Sequence, residues 1–135
     1  MKLTVVPNRN MIMYSVAIGY AVNIKAKAIY VGVHSGDHAI YPDCRPEFID
    51  FLDKIAKSAN EGFIEEDFQV KAPFVFKSKA DIARIGTELG VPYELTWSCY
   101  KGGDKHCGKC GTCVERKEAF ELAGITDPTE YEKIN

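Results

Sequence analysis

Four cysteines fall within fifteen residues, and this cluster constrains the chain more than any other feature of its sequence. Cys99, Cys107, Cys110 and Cys113 follow the spacing C-x7-C-x2-C-x2-C, with four glycines between them. A tetrahedral zinc ion holds thiolates at about 2.3 Å, so the sulfurs of such a loop must converge. Glycine permits the left-handed turns that bring them together. The spacing predicts a zinc knuckle over residues 97–116, with a structural metal, because four thiolates leave no position for water.

Other uses of these cysteines stay open on the sequence alone. Two disulfides would need an oxidising compartment, whereas we expect a cytoplasmic chain without a targeting segment. Independent free thiols and an iron–sulfur cluster on the same four thiolates are the remaining alternatives. His106 can replace one sulfur, although four cysteines already fill the coordination shell.

The composition limits the partners of this chain. An apolar content of 46% and a charged content of 27% are those of an ordinary globular protein. The net charge of −2 gives no basic field, so we expect no direct contact with nucleic acid. No apolar run reaches the ~20 residues of a membrane helix, so we expect no membrane contact.

The pattern of apolar residues predicts alternating helices and strands. After an extended lead over residues 1–6, a helix from Asn10 to about Ala26, capped by Asn10, is apolar on nearly every face and is expected to be buried. Residues 28–33 are typical of a buried parallel strand, and residues 68–72 of a second strand. This order predicts an α/β domain with a parallel sheet.

Three further helices follow from local signals. Residues 46–60 form an amphipathic pattern, a second helix runs from its cap at Ser78 to Leu89, and a short third helix covers residues 114–123. The chain from Thr126 is polar and is expected to fray. The side chains predicted to face the core are Phe48, Phe51, Leu52, Ile55 and Ala59, then Ile82, Ile85 and Leu89, then Phe120 and Leu122.

The loop over residues 34–45 follows the first strand and carries two histidines, two aspartates, an arginine, a serine and a tyrosine. Ligands of open α/β sheets bind beyond the carboxyl ends of the strands, so the position predicts a substrate loop. The alternative is an ordinary connection in which Asp43 caps the helix that begins at Pro46.

Three segments together resemble the 7-cyano-7-deazaguanine synthase family: V-P-N-R-N at residues 6–10, Y-P-D-C-R-P-E-F at residues 41–48, and W-S-C-Y at residues 97–100 with the three cysteines that follow. The resemblance runs from about Val6 to about Phe120. It implies a Rossmann-like parallel sheet of the adenine-nucleotide α-hydrolase type with a zinc-bearing C-terminal part. It also implies an ATP-dependent ligase that converts 7-carboxy-7-deazaguanine and ammonia to the nitrile, through the amide, in queuosine precursor biosynthesis.

The sequence departs from this family at the phosphate loop. The family opens with a strand and an S-G-G-x-D-S loop, and no such stretch occurs here, since Gly102, Gly103 and Asp104 lie between the cysteines. We therefore expect residues 1–135 to be the C-terminal part of a single synthase-like domain. ATP, with Mg²⁺, would then need an N-terminal half, and the isolated chain is expected to be inactive. No catalytic residue is assigned.

The resemblance also implies where the planar, carboxylated substrate lies. Asp37 or Asp43 would accept hydrogen bonds from the ring, Tyr41 would stack on it, and Arg9 or Arg45 would pair with its carboxylate or with a phosphate. The alternatives are an ion pair for Arg9 and a helix cap for Asp43. Cys44 is interpreted as a buried thiol, with a thioimidate as the alternative. Lys77 and Lys79 are interpreted as a solvated helix start, with a phosphate contact as the alternative.

Other functions remain to be tested on this sequence. A zinc-stabilised module that binds tRNA or another protein without catalysis is the main alternative, and a tRNA thiolase of the same fold lacks the Y-P-D-C-R motif. We also expect a homo-oligomer, because the apolar first helix needs cover.

Overall fold

The computed structural model describes residues 5–132, so most of the predicted lead at residues 1–6 lies outside the described part. Its elements are α1 (Arg9–Asn23), β1 (Ala28–Tyr30), α2 (Pro46–Ala59), β2 (Gln69–Lys71), α3 (Lys79–Glu88) and α4 (Gly111–Ala123). The chain divides into two compact units, Met1–Phe76 and Lys77–Asn135. Within the described residues, every helix is too short or too polar to cross a membrane.

The first unit contains the predicted parallel sheet. β1 pairs with β2 in the register Ala28 with Gln69, Ile29 with Val70 and Tyr30 with Lys71. Parallel strands need a long crossover between them, and α2 provides it. Both strands are shorter than predicted, because only these three residues of each find a strand partner among the described residues. Val31 and Val33 lie beyond β1 but are still buried, at 4% exposure each.

The core of the first unit forms around Phe68, which is fully buried, and Leu52 of α2. The inner face of α2 consists of Ile49, Leu52 and Ala56. The prediction was wrong for Phe51, Ile55 and Ala59, which are exposed. A hydrogen bond explains this rotation of the helix. The carboxylate of Asp53 accepts from the backbone N–H of Val70 at 2.8 Å, which turns that side of α2 toward β2.

Helix α1 differs from its prediction at its start and in its burial. Its N-cap is Asn8, in the left-handed conformation with φ of 62°, so the assignment of the cap to Asn10 was wrong. Only Ile18 and Ala21 are buried. The prediction of burial on all sides was wrong for the described chain, because the first unit packs against one face of the helix only. The other face carries an exposed α1 stripe, Ile12, Met13, Val16, Tyr20 and Ile24, each more than half exposed.

The second unit contains α3 and α4. The capping box at the start of α3 confirms the predicted cap, since the Ser78 hydroxyl accepts from the N–H of Asp81 while the Asp81 carboxylate accepts from the N–H of Ser78. The buried residues of the two helices include Ala83, Gly86, Ala119 and Phe120. The predictions for Leu89 and Leu122 were wrong, since both are exposed.

Candidate metal centre

The four predicted cysteines come together in the second unit. One ligand atom from each of Cys99, Cys107, Cys110 and Cys113 lies within 4.8 Å of the others, so the group is able to hold a metal ion. Cys99, Cys107 and Cys113 are buried, and Cys110 is half-buried. All five cysteines of the chain are free, so the disulfide alternative is not what this fold builds.

The environment of the sulfurs favours thiolate at some positions and thiol at others. The Thr112 hydroxyl, 3.3 Å from the sulfur, and the backbone N–H groups of Cys113 and Tyr100 lower the pKa of Cys110 to about 5. The backbone N–H of Cys107 lowers the pKa of Cys99. Burial raises the pKa of Cys113 to about 12. The lowered pKa values favour the thiolate form, which binds metals, at Cys99 and Cys110. The buried thiol of Cys113 would lose its proton only when a cation binds nearby.

The segment over residues 99–110 is called the cysteine loop below. His106 lies in it and supports it, although it is not one of the four cysteines that could hold the metal. Its Nε2 accepts from the backbone N–H of Ser98 at 3.0 Å, directly before Cys99. The imidazole is buried, and its ring centroid lies 4.2 Å from that of Trp97. The Nε2 of His106 is therefore engaged by the backbone, and this role in positioning the loop was not predicted.

Residues 125–132, which we call the C-terminal strap, pair with the cysteine loop. The N–H of His106 donates to the carbonyl of Glu130, and the N–H of Glu132 donates to the carbonyl of His106 at 2.8 Å. These bonds form a parallel bridge between His106 and Tyr131. The expectation of fraying from Thr126 was therefore wrong as far as residue 132. Two carboxylates of the strap pair with lysines, Glu130 with Lys105 at 2.8 Å and Glu132 with Lys101 at 3.0 Å.

A buried ion pair joins α4 to the strap. Arg116 and Asp127 lie 3.1 Å apart with side chains only 7% and 10% exposed. Burial alone would raise the pKa of Asp127, but hydrogen bonds from Arg116, Tyr131 and Thr129 lower it to about 2. The remaining donors of Arg116 reach the Thr96 hydroxyl at 2.7 Å and the Tyr93 carbonyl at 3.0 Å. No sequence pattern indicated this pair, because its partners are eleven residues apart and Asp127 lies in a segment that was expected to fray.

A cavity of about 670 Å³ opens in the second unit, between α3, the cysteine loop and α4. Lys79 is the first residue of α3, and its ammonium pairs with the carboxylate of Glu115 at this cavity while its side chain stays 41% exposed, so its interpretation as a solvated helix start stays a prediction. Trp97 and Tyr100 line it with exposed aromatic surface, 52% and 70% of each residue. A volume of this size is that of a small-molecule site.

The loop over residues 34–45 lies in the first unit and is held by its own hydrogen bonds. His34 is buried, and its Nε2 lies 3.2 Å from the carboxylate of Asp37. The guanidinium of Arg45 donates to the carbonyl of His38 at 2.9 Å. Tyr41 packs against the core.

Asp43 contacts the start of α1 through Asn10. Its carboxylate accepts from the backbone N–H of Asn10, and its carbonyl accepts from the Asn10 side chain, both at 3.4 Å. The alternative in which Asp43 caps α2 was wrong, since Arg45 is the N-cap there and no side chain caps that helix. The exposed Arg9 is close enough to lower the pKa of Cys44, but burial dominates and raises that pKa to about 11. The thiol of Cys44 is therefore neutral at physiological pH. The roles of these loop residues toward a substrate stay predictions.

Comparisons with known proteins agree with the resemblance. A family model described as "Queuosine biosynthesis protein QueC" matches residues 1–124. The 7-cyano-7-deazaguanine synthase of Allorhizobium ampelinum is 59% identical over 132 residues, which cover 98% of this chain and 55% of the relative. The protein of the same name from Hahella chejuensis is 54% identical over 134 residues, with 99% and 56% covered. The chain thus spans little more than half the length of the curated relatives it matches.

Proposed function

This chain belongs to the queuosine biosynthesis protein QueC family, and from that premise we propose that it is part of a 7-cyano-7-deazaguanine synthase. Identity of 54–59% along nearly the whole chain to proteins of that name carries the proposal. The reaction would be an ATP-dependent ligation of ammonia to 7-carboxy-7-deazaguanine, followed by dehydration of the amide to the nitrile. It would take place in the cytoplasm. ATP and Mg²⁺ would be held by an N-terminal half that carries the phosphate loop.

We assign a structural zinc ion to the cysteine group. Zinc–thiolate bonds of about 2.3 Å in a tetrahedron require neighbouring sulfurs to lie about 3.8 Å apart. The sulfurs of Cys107 and Cys113 are 4.0 Å apart, and so are those of Cys99 and Cys110, so the residues present fit this ion. Its chemistry is to neutralise and crosslink four thiolates.

The Rossmann-like arrangement is also a proposal. The parallel β1–α2–β2 unit is the repeating unit of such a sheet, and two strands alone make a marginal sheet. Further strands from the N-terminal half would extend it. The proposal that the protein is a homo-oligomer rests on the α1 stripe, because five apolar side chains exposed side by side favour an interface.

The loop in the first unit is one proposed wall of the substrate pocket. One carboxylate oxygen of Asp43 already accepts from Asn10, and the other would accept from the ring N–H groups of the deazaguanine. Asp37 would act in the same way, and Tyr41 would stack on the ring. The exposed Arg9 and Arg45 would pair with the carboxylate or with a phosphate.

The cavity of the second unit is a rival wall for the same ring. Glu115 presents a carboxylate to ring N–H groups, Lys79 presents an ammonium to the substrate carboxylate, and the indole of Trp97 offers a stacking surface. These are the same three kinds of group that the loop offers, within a cavity of about 670 Å³.

An assay of AMP release from ATP, with 7-carboxy-7-deazaguanine and ammonium, tests the proposed function. The isolated chain should be inactive, and adding a separately produced N-terminal half of a relative should restore turnover. Turnover by the 135-residue chain alone would contradict the assignment of ATP binding to another segment. No turnover with any N-terminal half would favour the alternative of a non-catalytic module that binds tRNA or protein.

Paired variants locate the substrate in the reconstituted enzyme. Loss of a hydrogen bond to a charged group costs about 1.5–3 kcal/mol, or roughly 10–100-fold in affinity. Asp43→Ser keeps one acceptor for Asn10 but removes the second carboxylate oxygen, and Glu115→Gln keeps the shape of its side chain. Calorimetry should show the loss for Asp43→Ser and not for Glu115→Gln if the loop is the wall. The reverse result would move the site to the cavity.

A further inference from the structure

We infer that the C-terminal strap is a cover that controls metal exchange at the cysteine site, with Tyr131 as the residue that closes it. The inference rests on the proposed metal site, but it concerns a segment that lies beyond residues 1–124, where the family model matches. It assigns Tyr131 a positioning role and gives it no part in the reaction.

Tyr131 packs against the buried cluster of Cys99, Cys107 and Cys113. The ammonium of Lys117 lies over the Tyr131 ring, 4.2 Å from its centroid. Gly108 is in the left-handed conformation, and a Cβ there would come within 3.4 Å of the ring. The aromatic ring is therefore closely packed between Gly108 of the cysteine loop and Lys117 of α4.

A hydrogen bond from the phenol hydroxyl holds the Tyr131 ring in this position. It donates to the carboxylate of Asp127 at 2.6 Å, and that carboxylate is held by Arg116 in the buried ion pair. The backbone on either side of Tyr131 is tied to His106 by the two hydrogen bonds of the parallel bridge. Movement of the strap away from the cysteines would break side-chain and backbone hydrogen bonds together.

Cys110 is the most exposed of the four cysteines that would hold the ion. Cys107 and Cys113 are 3% and 0% exposed, whereas Cys110 is half-buried. A chelator that competes for the ion can attack at Cys110, but it reaches the other sulfurs only after the strap has moved. Release from the parent protein should then be limited by opening of the strap and should not depend on chelator concentration.

The test measures zinc transfer from the loaded full-length chain to an excess of a chromophoric chelator. Tyr131→Ala removes the cover, and we expect release to be roughly 10–100-fold faster, in line with the metal affinity that is lost when residues supporting metal ligands are replaced. The release rate should also become proportional to chelator concentration. Tyr131→Phe keeps the ring and loses only its bond to Asp127, so its release should be faster than that of the parent but still independent of the chelator. Tyr20→Ala, at an exposed tyrosine of the first unit, is the matched control.

Three results would overturn the inference. The first is release from Tyr131→Ala at the parent rate. The second is faster release that stays independent of chelator, because that pattern means general destabilisation of the unit rather than loss of a cover. The third is a parent chain that binds no zinc, which would also remove the proposed metal site, whereas the first two leave it intact. If Tyr131→Ala does not fold, Tyr131→Leu decides by the same two criteria, since it keeps a smaller apolar cover.

Discussion

The two units of this chain are stabilised by different means. The first unit has an apolar core around Phe68 and Leu52, yet it leaves the α1 stripe on its surface. The second unit buries three cysteines, a histidine and an Arg116–Asp127 ion pair. Apolar burial is additive and tolerates an unfinished surface. A cluster of buried polar groups stabilises a fold only when every member has its partner. The second unit should therefore fail abruptly when one partner is lost, and the first unit should fail by degrees.

The largest expected effect comes from breaking the metal site. Cys113→Ser should abolish zinc binding and unfold the second unit, because the free energy of structural zinc binding, about 10–16 kcal/mol, is also folding free energy. Elemental analysis gives the metal content, and the emission of Trp97, the single tryptophan of the chain, reports on the second unit. Amide exchange at Phe68 should show that the first unit keeps its core.

Cys44→Ser is the matched control for that substitution. Cys44 is buried in the first unit, so the variant should keep one zinc ion per chain and lose only some stability of that unit. Retention of zinc by Cys113→Ser would contradict the four-cysteine site. Iron with inorganic sulfide in the parent protein would replace zinc with a cluster.

A cavity in the first unit should have a smaller, graded effect. Leu52 is 2% exposed, and Leu→Ala at such a site costs about 2–5 kcal/mol of unfolding free energy. Denaturant unfolding of Leu52→Ala should show this loss while the zinc content stays that of the parent. Leu122→Ala, at a leucine 76% exposed in the second unit, should change stability by less than about 0.5 kcal/mol. Loss of zinc from Leu52→Ala would show that the units are not independent.

Replacement of a helical glycine by alanine should stabilise the first unit and destabilise the second. Gly19 lies in α1, and a Cβ there would meet no atom within 4 Å beyond its own stretch of helix, so Gly19→Ala should stabilise the helix by about 0.5–1 kcal/mol. Gly86 lies in α3, and a Cβ there would meet the Tyr93 hydroxyl at 2.0 Å. Gly86→Ala should cost about 1–3 kcal/mol, because the clash outweighs the gain in helix propensity. Equal shifts in thermal unfolding for the two variants would contradict the close packing of Tyr93 on α3.

The smallest effect is the response of the first unit to alkali. Burial raises the pKa of Cys44 from 9.0 to about 11, so the folded state keeps a proton that the unfolded state has already lost in this range. The stabilisation is fully present below pH 9 and is lost as the pH rises to about 11. As the pH rises from 9 to about 11, the free energy of unfolding of Cys44→Ala should fall by about 1 kcal/mol less than that of the parent, as measured by denaturant unfolding. The same slope in both proteins would mean that the thiol is not the group responsible.

Local signals in the sequence were sufficient for the cysteine site and for most helix boundaries. The spacing of Cys107, Cys110 and Cys113 brings them together across a loop and the first turn of α4, and the cap at Ser78 is set by a residue three positions away. Such features depend on a few neighbouring residues, and so a single sequence contains them.

Long-range partners were not predictable in this way. The inner face of α2 depends on Asp53 meeting the backbone of Val70, seventeen residues away. The strap has no hydrophobic period, and its order comes from Asp127 and Tyr131 reaching α4 and the cysteine loop. The prediction that α1 is buried on all sides was wrong for a related reason. An apolar pattern shows that a helix face favours burial, but it does not show that the described chain provides the residues that bury it.

The parallel register of β1 and β2 also has a kinetic consequence. Ile29 pairs with Val70, so about forty residues must be gathered into a loop before the sheet of the first unit can form. Cys107 and Cys113 are separated by only six positions. Because closing a long loop costs more entropy and takes longer than closing a short one, folding rates fall as contacts become more distant along the chain. The cysteine loop should therefore close early in refolding, and pairing of the two strands should set the slow phase.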